Sequence, residues 1–289
     1  MRRFYPTTLL LALAFLIACD NQSQVTPEVG VQVVHDDPAF AKLLNGVGGR
    51  DAFFSLLENS TNDELAALFT EYGIAFEVID RSQIDEAALF ADDGSGHELV
   101  HPPADVEAYD ITSCPQYFPT VNRTKWYRLV GAGGPEDHYI DSRGRPAVAV
   151  KMLGPIETAP RQTTCQTNVG NWGVPAADYD GGHLIGSQLG GWGGRANLVP
   201  QHYNFNRGNW LKVENALAKC GRLGNSAVRF VVDIDYPSSS ALTPSAWRGD
   251  VTIAGLTRRA SFTNTSGGGT NGTVQANGMV TWLQNRGCY

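Results

Sequence analysis

Apolar residues change their period along this chain, and the change divides it in two. From Asp37 onward they recur at helical spacing in three successive windows, PAFAKLLNGV (38–47), RDAFFSLLEN (50–59) and TNDELAALFTEYG (61–73). In the third window Leu65, Leu68, Phe69 and Tyr72 follow one another at three- and four-residue steps, which sets them on one helical face. Thr61 or Asn62 is placed to cap that helix and Gly73 to end it. Further along, strand-like runs at Trp126–Val130, Ala147–Leu153, Arg229–Tyr236 and Val251–Ala254 are separated by glycine-rich turns. The pattern predicts an α+β fold, with a mixed or antiparallel sheet core preceded by a small helical segment. The polar stretch DDGSGHELVHPPAD (92–105) reads as a linker. The expected boundaries are therefore 37–105 for an acidic helical accessory domain and 106–289 for a second domain, long enough for one core. The 32 glycines have no period, which excludes collagen-like and repeat architectures.

Ahead of these windows, Arg2 and Arg3 precede an apolar run from Leu9 to Ala18 that stops at Cys19. The run is short for a membrane span and has the form of a signal peptide over residues 1–19. Leu16-Ile17-Ala18-Cys19 resembles a bacterial lipobox with Cys19 as the lipidated residue; an ordinary secretory signal cleaved near Ala18 is the alternative. Residues 20–36 then read as a flexible polar tether. Either way the expectation is export, to the cell envelope as a lipid-anchored protein on the periplasmic or outer surface, or into the medium. Four further cysteines, Cys114, Cys165, Cys220 and Cys288, suit two disulfides in an oxidising compartment. Three pairings are possible, of which Cys114–Cys165 with Cys220–Cys288 is preferred. No Cys-x-x-Cys spacing points to structural zinc.

Charge sharpens the division. The net formal charge is −7, but residues 20–105 hold 3 basic and 17 acidic residues while 106–289 hold 17 basic and 12 acidic. A basic module suits a polyphosphate, because neutralising phosphates and releasing their counterions supplies most sequence-independent nucleic-acid affinity. The acidic segment reads as a solvated helical face.

The densest chemistry lies in DGGHLIGSQLGGWGGRANLVPQHYNFNRGNWLKVE, residues 180–214. His183 sits in a strand, a glycine-rich loop follows, Leu198-Val199 forms a second strand that Pro200 ends, and Asn204 is placed to cap a helix. Trp210, Val213 and Leu217 form the buried stripe of that helix, which ends near Cys220. Trp192 packs under the loop, and His202 is structural or faces substrate. A neutral imidazole at His183 is a suitable base for water, whose own pKa is about 16. A divalent cation held by one amide oxygen, Asn206, fits Mg²⁺, which keeps most of its waters. Glu214 follows two helical turns later, placed to hold the water shell.

This stretch resembles the DNA/RNA non-specific endonucleases of the His-Me finger class, the ββα-metal nucleases, over about residues 140–255. The resemblance implies His183 as general base, Asn206 as metal ligand and Glu214 as support for the hydrated ion. It implies hydrolysis of phosphodiester bonds in DNA and RNA with Mg²⁺, for which Mn²⁺ is a possible substitute, and no organic cofactor. Where many members carry DRGH, this chain has Gly181 in place of the arginine, so a phosphate-binding role passes to Arg195, Arg207 or Arg161. Gly144-Arg145-Pro146 looks like an upstream element of the toxin-like branch. Asp180, Asn197, Arg161 and Arg145 are expected at the second shell or the substrate. Two other readings remain open: a non-catalytic surface lipoprotein that binds nucleic acid for uptake or attachment, and an exported antibacterial toxin with an inhibitor or immunity protein as partner, shielded by its acidic segment.

Overall fold

Alternation along one strand explains how the layers stack. In β4 (Pro146–Leu153), Val148 and Val150 point to one face of a sheet while Ala149 and Leu153 point to the other, and each pair joins a different apolar cluster. Both faces are therefore covered, which is why β4 reads as a continuous hydrophobic run. The computed structural model describes residues 37–85, 111–131, 134–154, 158–222 and 228–288. The signal, Cys19, the tether and the expected linker at 92–105 lie outside the described residues. Among the described residues no helix is long and apolar enough to cross a membrane.

Seven strands form the main sheet in the order β1 (Ala75–Asp80), β2 (Lys125–Val130), β3 (Glu136–Ile140), β4, β7 (Val228–Asp235), β8 (Ala246–Ile253) and β9 (Leu256–Thr263). All neighbours are antiparallel except β1 and β2, which run parallel with Ala75 opposite Lys125. A separate hairpin of β5 (Tyr179–His183) and β6 (Leu198–His202) lies outside this sheet and pairs His183 with Leu198. The α+β expectation holds, with a mostly antiparallel sheet.

On one face lie α1 (Pro38–Gly46), α2 (Arg50–Asn59) and α3 (Asn62–Glu71). Asp37 caps α1 by accepting from Ala39 and Phe40, and Thr61 with Glu64 forms a capping box on α3. Their apolar stripes bring Phe40, Phe53 and Phe69 around Trp126, with ring centroids 5.4–5.8 Å away. Ion pairs continue the attachment: Arg128 donates to Asp137 and to the carbonyl of Leu57, and Arg229 pairs with Glu58 at 2.9 Å. The expected boundary at residue 105 is corrected on this point. Residues 37–80 supply an edge strand and one whole layer of the same core, so they are neither an accessory domain nor a removable acidic cover. Their carboxylates are in part consumed by sheet arginines, as where Asp51 meets Arg259.

The opposite face packs against the hairpin, α5 (Leu211–Arg222) and α6 (Gly272–Gln284), with α4 (Thr163–Asn171) lying against β5. Trp210, Val213 and Leu217 are buried as the helical spacing predicts. Both preferred disulfides are present: Cys114–Cys165 ties α4 to the segment before β2, and Cys220–Cys288 ties α5 to the chain after α6. With separations of 51 and 68 residues, each constrains the unfolded chain by about 4 kcal/mol on the chain-entropy account.

A polar network joins the layers at the sheet centre. Glu136 on β3 is fully buried and accepts from the backbone N–H of Trp192 at 2.8 Å, lies 2.7 Å from His138 Nε2 and pairs with Lys151 at 3.3 Å. Arg81, just after β1, reaches Glu136 at 3.7 Å and donates to the carbonyl of Gly190 at 3.1 Å. Burial alone raises a carboxyl pKa, yet Lys151, His138 and Arg81 hold Glu136 down at about 2. A depressed carboxyl pKa contributes stability that is complete above the unfolded value of 4.5 and is lost as pH falls toward 2. Urea unfolding of the wild type should therefore weaken from about pH 4.5 downward, and Glu136→Gln should flatten that dependence; equal slopes in both proteins would refute the network's charge state. Trp126→Ala should cost about 3–5 kcal/mol in the same assay, the usual range for a fully buried tryptophan. A loss under about 1 kcal/mol would mean that α1–α3 do not pack on β2.

Candidate active site

Glycine at 181 and 186 makes the site possible. A Cβ at Gly181 would sit 1.9 Å from the carbonyl oxygen of Gln166 on α4, so this strand position admits no side chain at all while α4 lies there. The missing arginine is thus a steric consequence of how closely α4 covers β5. A Cβ at Gly186 would come within 2.5 Å of Glu214 Oε1, and the bare backbone lets the carboxylate approach the loop.

The loop between β5 and β6 is held by Asn197. Its Oδ1 accepts from the N–H of Ile185 at 2.9 Å, and its Nδ2 donates to the carbonyls of Ile185 and Trp192, each at 2.8 Å. Asn197 is therefore a fully buried loop clamp that supports the loop after His183 and does not itself line the cavity described below. Trp192 is buried under the loop as its sequence context implies.

After β6 the chain enters a π-helical turn, Phe205–Trp210, with Gly208 at φ −109° and ψ −105° inside it. Asn204 does not cap a helix here: its side chain donates to Ser266 Oγ at 3.2 Å and its backbone is already helical. Widened turns of this kind gather at functional sites because they re-aim side chains. Here the turn aims Asn206 and Arg207 at Asp180 on β5. Asn206 Nδ2 donates to Asp180 Oδ2 at 3.0 Å, and Arg207 forms a two-pronged pair with the same carboxylate at 2.6 and 2.8 Å. With its amide nitrogen engaged, Asn206 keeps its oxygen as the end that suits a hard cation.

A cavity of about 580 Å³ is lined by His183, Asn206, Glu214, Asp180, Arg161 and Arg207 together. His183 is 6% exposed, and its Nε2 has no hydrogen-bond partner among the described residues. Burial first, and the charge of Arg161 second, push its pKa down to about 3, so the imidazole is neutral at physiological pH. Glu214 is buried as well, and burial raises its pKa to about 8 against the opposing hydrogen bonds from Gly186 and Gln188 and the charge of Arg161. Arg161 Nε donates to Ser187 Oγ at 2.7 Å, which fixes the guanidinium beside the histidine loop. Thr158, Gln166 and Gln188 also line the cavity and carried no sequence signal of their own.

Two expected arginines belong elsewhere. Arg195 is fully buried and donates to the carbonyls of Pro115, Gln116 and Leu198 at 3.0, 3.1 and 2.5 Å. It holds the hairpin against the segment before β2 and does not line the cavity. Arg145 pairs with Asp141, donates to the carbonyls of Ser238 and Ala241 at 2.8 Å and lies 3.9 Å from the ring centroid of Tyr236. It braces a surface loop. His202 accepts from the N–H of Asn204 and stacks on Tyr203. Among the described residues no group of three or more His, Cys, Asp or Glu is arranged to hold a metal.

Residues 123–255 match the sequence profile of the family described as DNA/RNA non-specific endonuclease, a span from the residues before β2 through β8. No curated protein matches the chain. Among solved structures it is similar to NucA from Streptococcus agalactiae with no metal bound, at 21% identity and a TM-score of 0.36, over 45% of this chain and 70% of that one. It is likewise similar to NucA with magnesium ion bound, at 21% identity and a TM-score of 0.37, over 47% of this chain and 73% of that one. The family profile spans the hairpin, the π-helical turn and α5 that build the cavity, so the similarity to DNA/RNA non-specific endonucleases falls on the residues that line it.

Proposed function

We propose that this protein is a metal-dependent endonuclease that cleaves DNA and RNA with little sequence specificity, using His183 as general base. The observation that carries the reading is the enclosure of a neutral histidine, an amide oxygen, a carboxyl group and two arginines in one cavity. His183 takes the proton of the attacking water, a role for which an uncharged imidazole is required. Arg161 and Arg207 bind the non-bridging oxygens of the phosphodiester and offset the charge that builds at phosphorus, replacing the arginine that Gly181 excludes. Asp180 orients Asn206 and Arg207 through the hydrogen bonds already described.

The donor set fits Mg²⁺, or Mn²⁺ in its place. Asn206 would hold the ion through its amide oxygen, and Glu214 would hold its water shell, consistent with a cation that needs one or two protein anchors. When bound, the ion supplies Lewis-acid stabilisation of the leaving oxygen. The raised pKa of Glu214 also fits, because a buried carboxyl without a nearby cation favours its proton. Export through the N-terminal signal and anchoring at Cys19 complete the proposal: the nuclease would act outside the cytoplasm, on nucleic acid other than the cell's own genome.

Plasmid DNA and RNA should both be degraded with Mg²⁺, with activity abolished by a chelator and lowered at least a thousandfold by His183→Ala. Robust turnover by that variant would remove His183 from the mechanism. Proton linkage at Glu214 gives a second measurement. Ion binding must displace its proton below about pH 8, so the Mg²⁺ concentration for half-maximal activity should rise as pH falls from 8 to 6. Glu214→Gln should weaken Mg²⁺ binding and erase that pH dependence; if the dependence persists, the linked proton is not on Glu214.

A further inference from the structure

A second concavity adjoins the catalytic one. It lies between α5 and α6, has a volume of about 400 Å³, and shares Arg207 and Leu211 with the catalytic cavity. Lys212 and Lys219 line it, no carboxylate does among the described residues, and Asn215 and Gln284 add neutral polar groups. Lys212 Nζ contacts Asn277 on α6, and Lys219 has no ion pair among the described residues. Both lysines are exposed. Seven residues apart, they lie on nearly the same helical face and are separated by about 10.5 Å along the axis. Cys288, bonded to Cys220 of α5, lines the groove as well and ties the segment after α6 to α5.

We propose that this groove carries the sugar–phosphate backbone of the polynucleotide beyond the scissile bond, with Arg207 at the junction and Lys212 and Lys219 each contacting a phosphate. The inference rests on the nuclease reading and adds to it a substrate track outside the catalytic cavity. The occupant is a polyanion, because the ionisable groups that line the groove among the described residues are all cations and the groove shares Arg207 with the cavity where a phosphodiester would be cleaved.

Binding and cleavage separate this proposal from the one it rests on. On a His183→Ala background, a fluorescent 20-nucleotide DNA is titrated by anisotropy at several salt concentrations, with and without K212A/K219A. Loss of two phosphate contacts should weaken binding at least tenfold and reduce the log–log salt slope by about 1.4–1.8. K212R/K219R, which keeps both charges, should retain the wild-type slope. In the active enzyme, K212A/K219A should lower kcat/KM on plasmid and RNA at least tenfold, mostly through KM. Cleavage of bis(p-nitrophenyl) phosphate, which reaches only the catalytic cavity, should stay within twofold. Unchanged oligonucleotide affinity and salt slope in K212A/K219A would overturn the groove even if cleavage is robust, as would an equal loss on polymer and small diester. Tight, lysine-dependent binding by a protein that cleaves nothing would uphold the groove and overturn the nuclease reading.

Discussion

One buried carboxylate ties the layers together. Glu136 sits on β3, an inner strand of the sheet, yet its partners come from the next strand, from the residue after β1 and from the loop that follows His183. Placing a charge in the interior is costly, and the arrangement is tolerable because the groups that contact the carboxylate are donors and cations. The consequence is interdependence. The glycine-rich loop, clamped by Asn197, is also suspended from this network through the N–H of Trp192 and the carbonyl of Gly190. Because Arg81 supplies the second of these, the amino-terminal layer reaches to the loop that follows His183. Glu136 also opposes, through its charge, the depression of the His183 pKa.

This arrangement explains why some of the molecule was legible in the sequence and some was not. The ββα order, the stripe of Trp210, Val213 and Leu217, the helices over 38–71 and the positions of His183, Asn206 and Glu214 all follow from local spacing. Local spacing also suggests a boundary that does not exist. β1 and β3 escaped because their strand character depends on partners far along the chain: Glu-Asp-His in β3 reads as polar surface until Arg128, Lys151 and Arg81 are placed around it. Arg195 misled for the same reason. An arginine beside a catalytic motif invites a phosphate role, whereas its partners are carbonyls about 80 residues earlier that leave no mark in the motif.

Gly181 is the converse case, where a departure from the family pattern has a local cause that only packing reveals. Helix α4, tied by Cys165 to Cys114, lies so close to β5 that any side chain at 181 would displace it. Positive charge enters the site from two other directions, Arg161 on one rim and Arg207 on the other. Cationic groups thus reach the cavity from elements other than the strand that carries His183.

The aromatic contact between the amino-terminal helices and Trp126 has a bearing on biosynthesis. Phe40, Phe53 and Phe69 leave the ribosome well before Trp126 and β2 exist to cover them, and β1 waits over the same interval for the strand it pairs with. A nascent chain of this protein must therefore keep an apolar helical surface and an unpaired strand edge in solution for seconds at ordinary elongation rates. Shielding during that interval becomes part of what the fold demands.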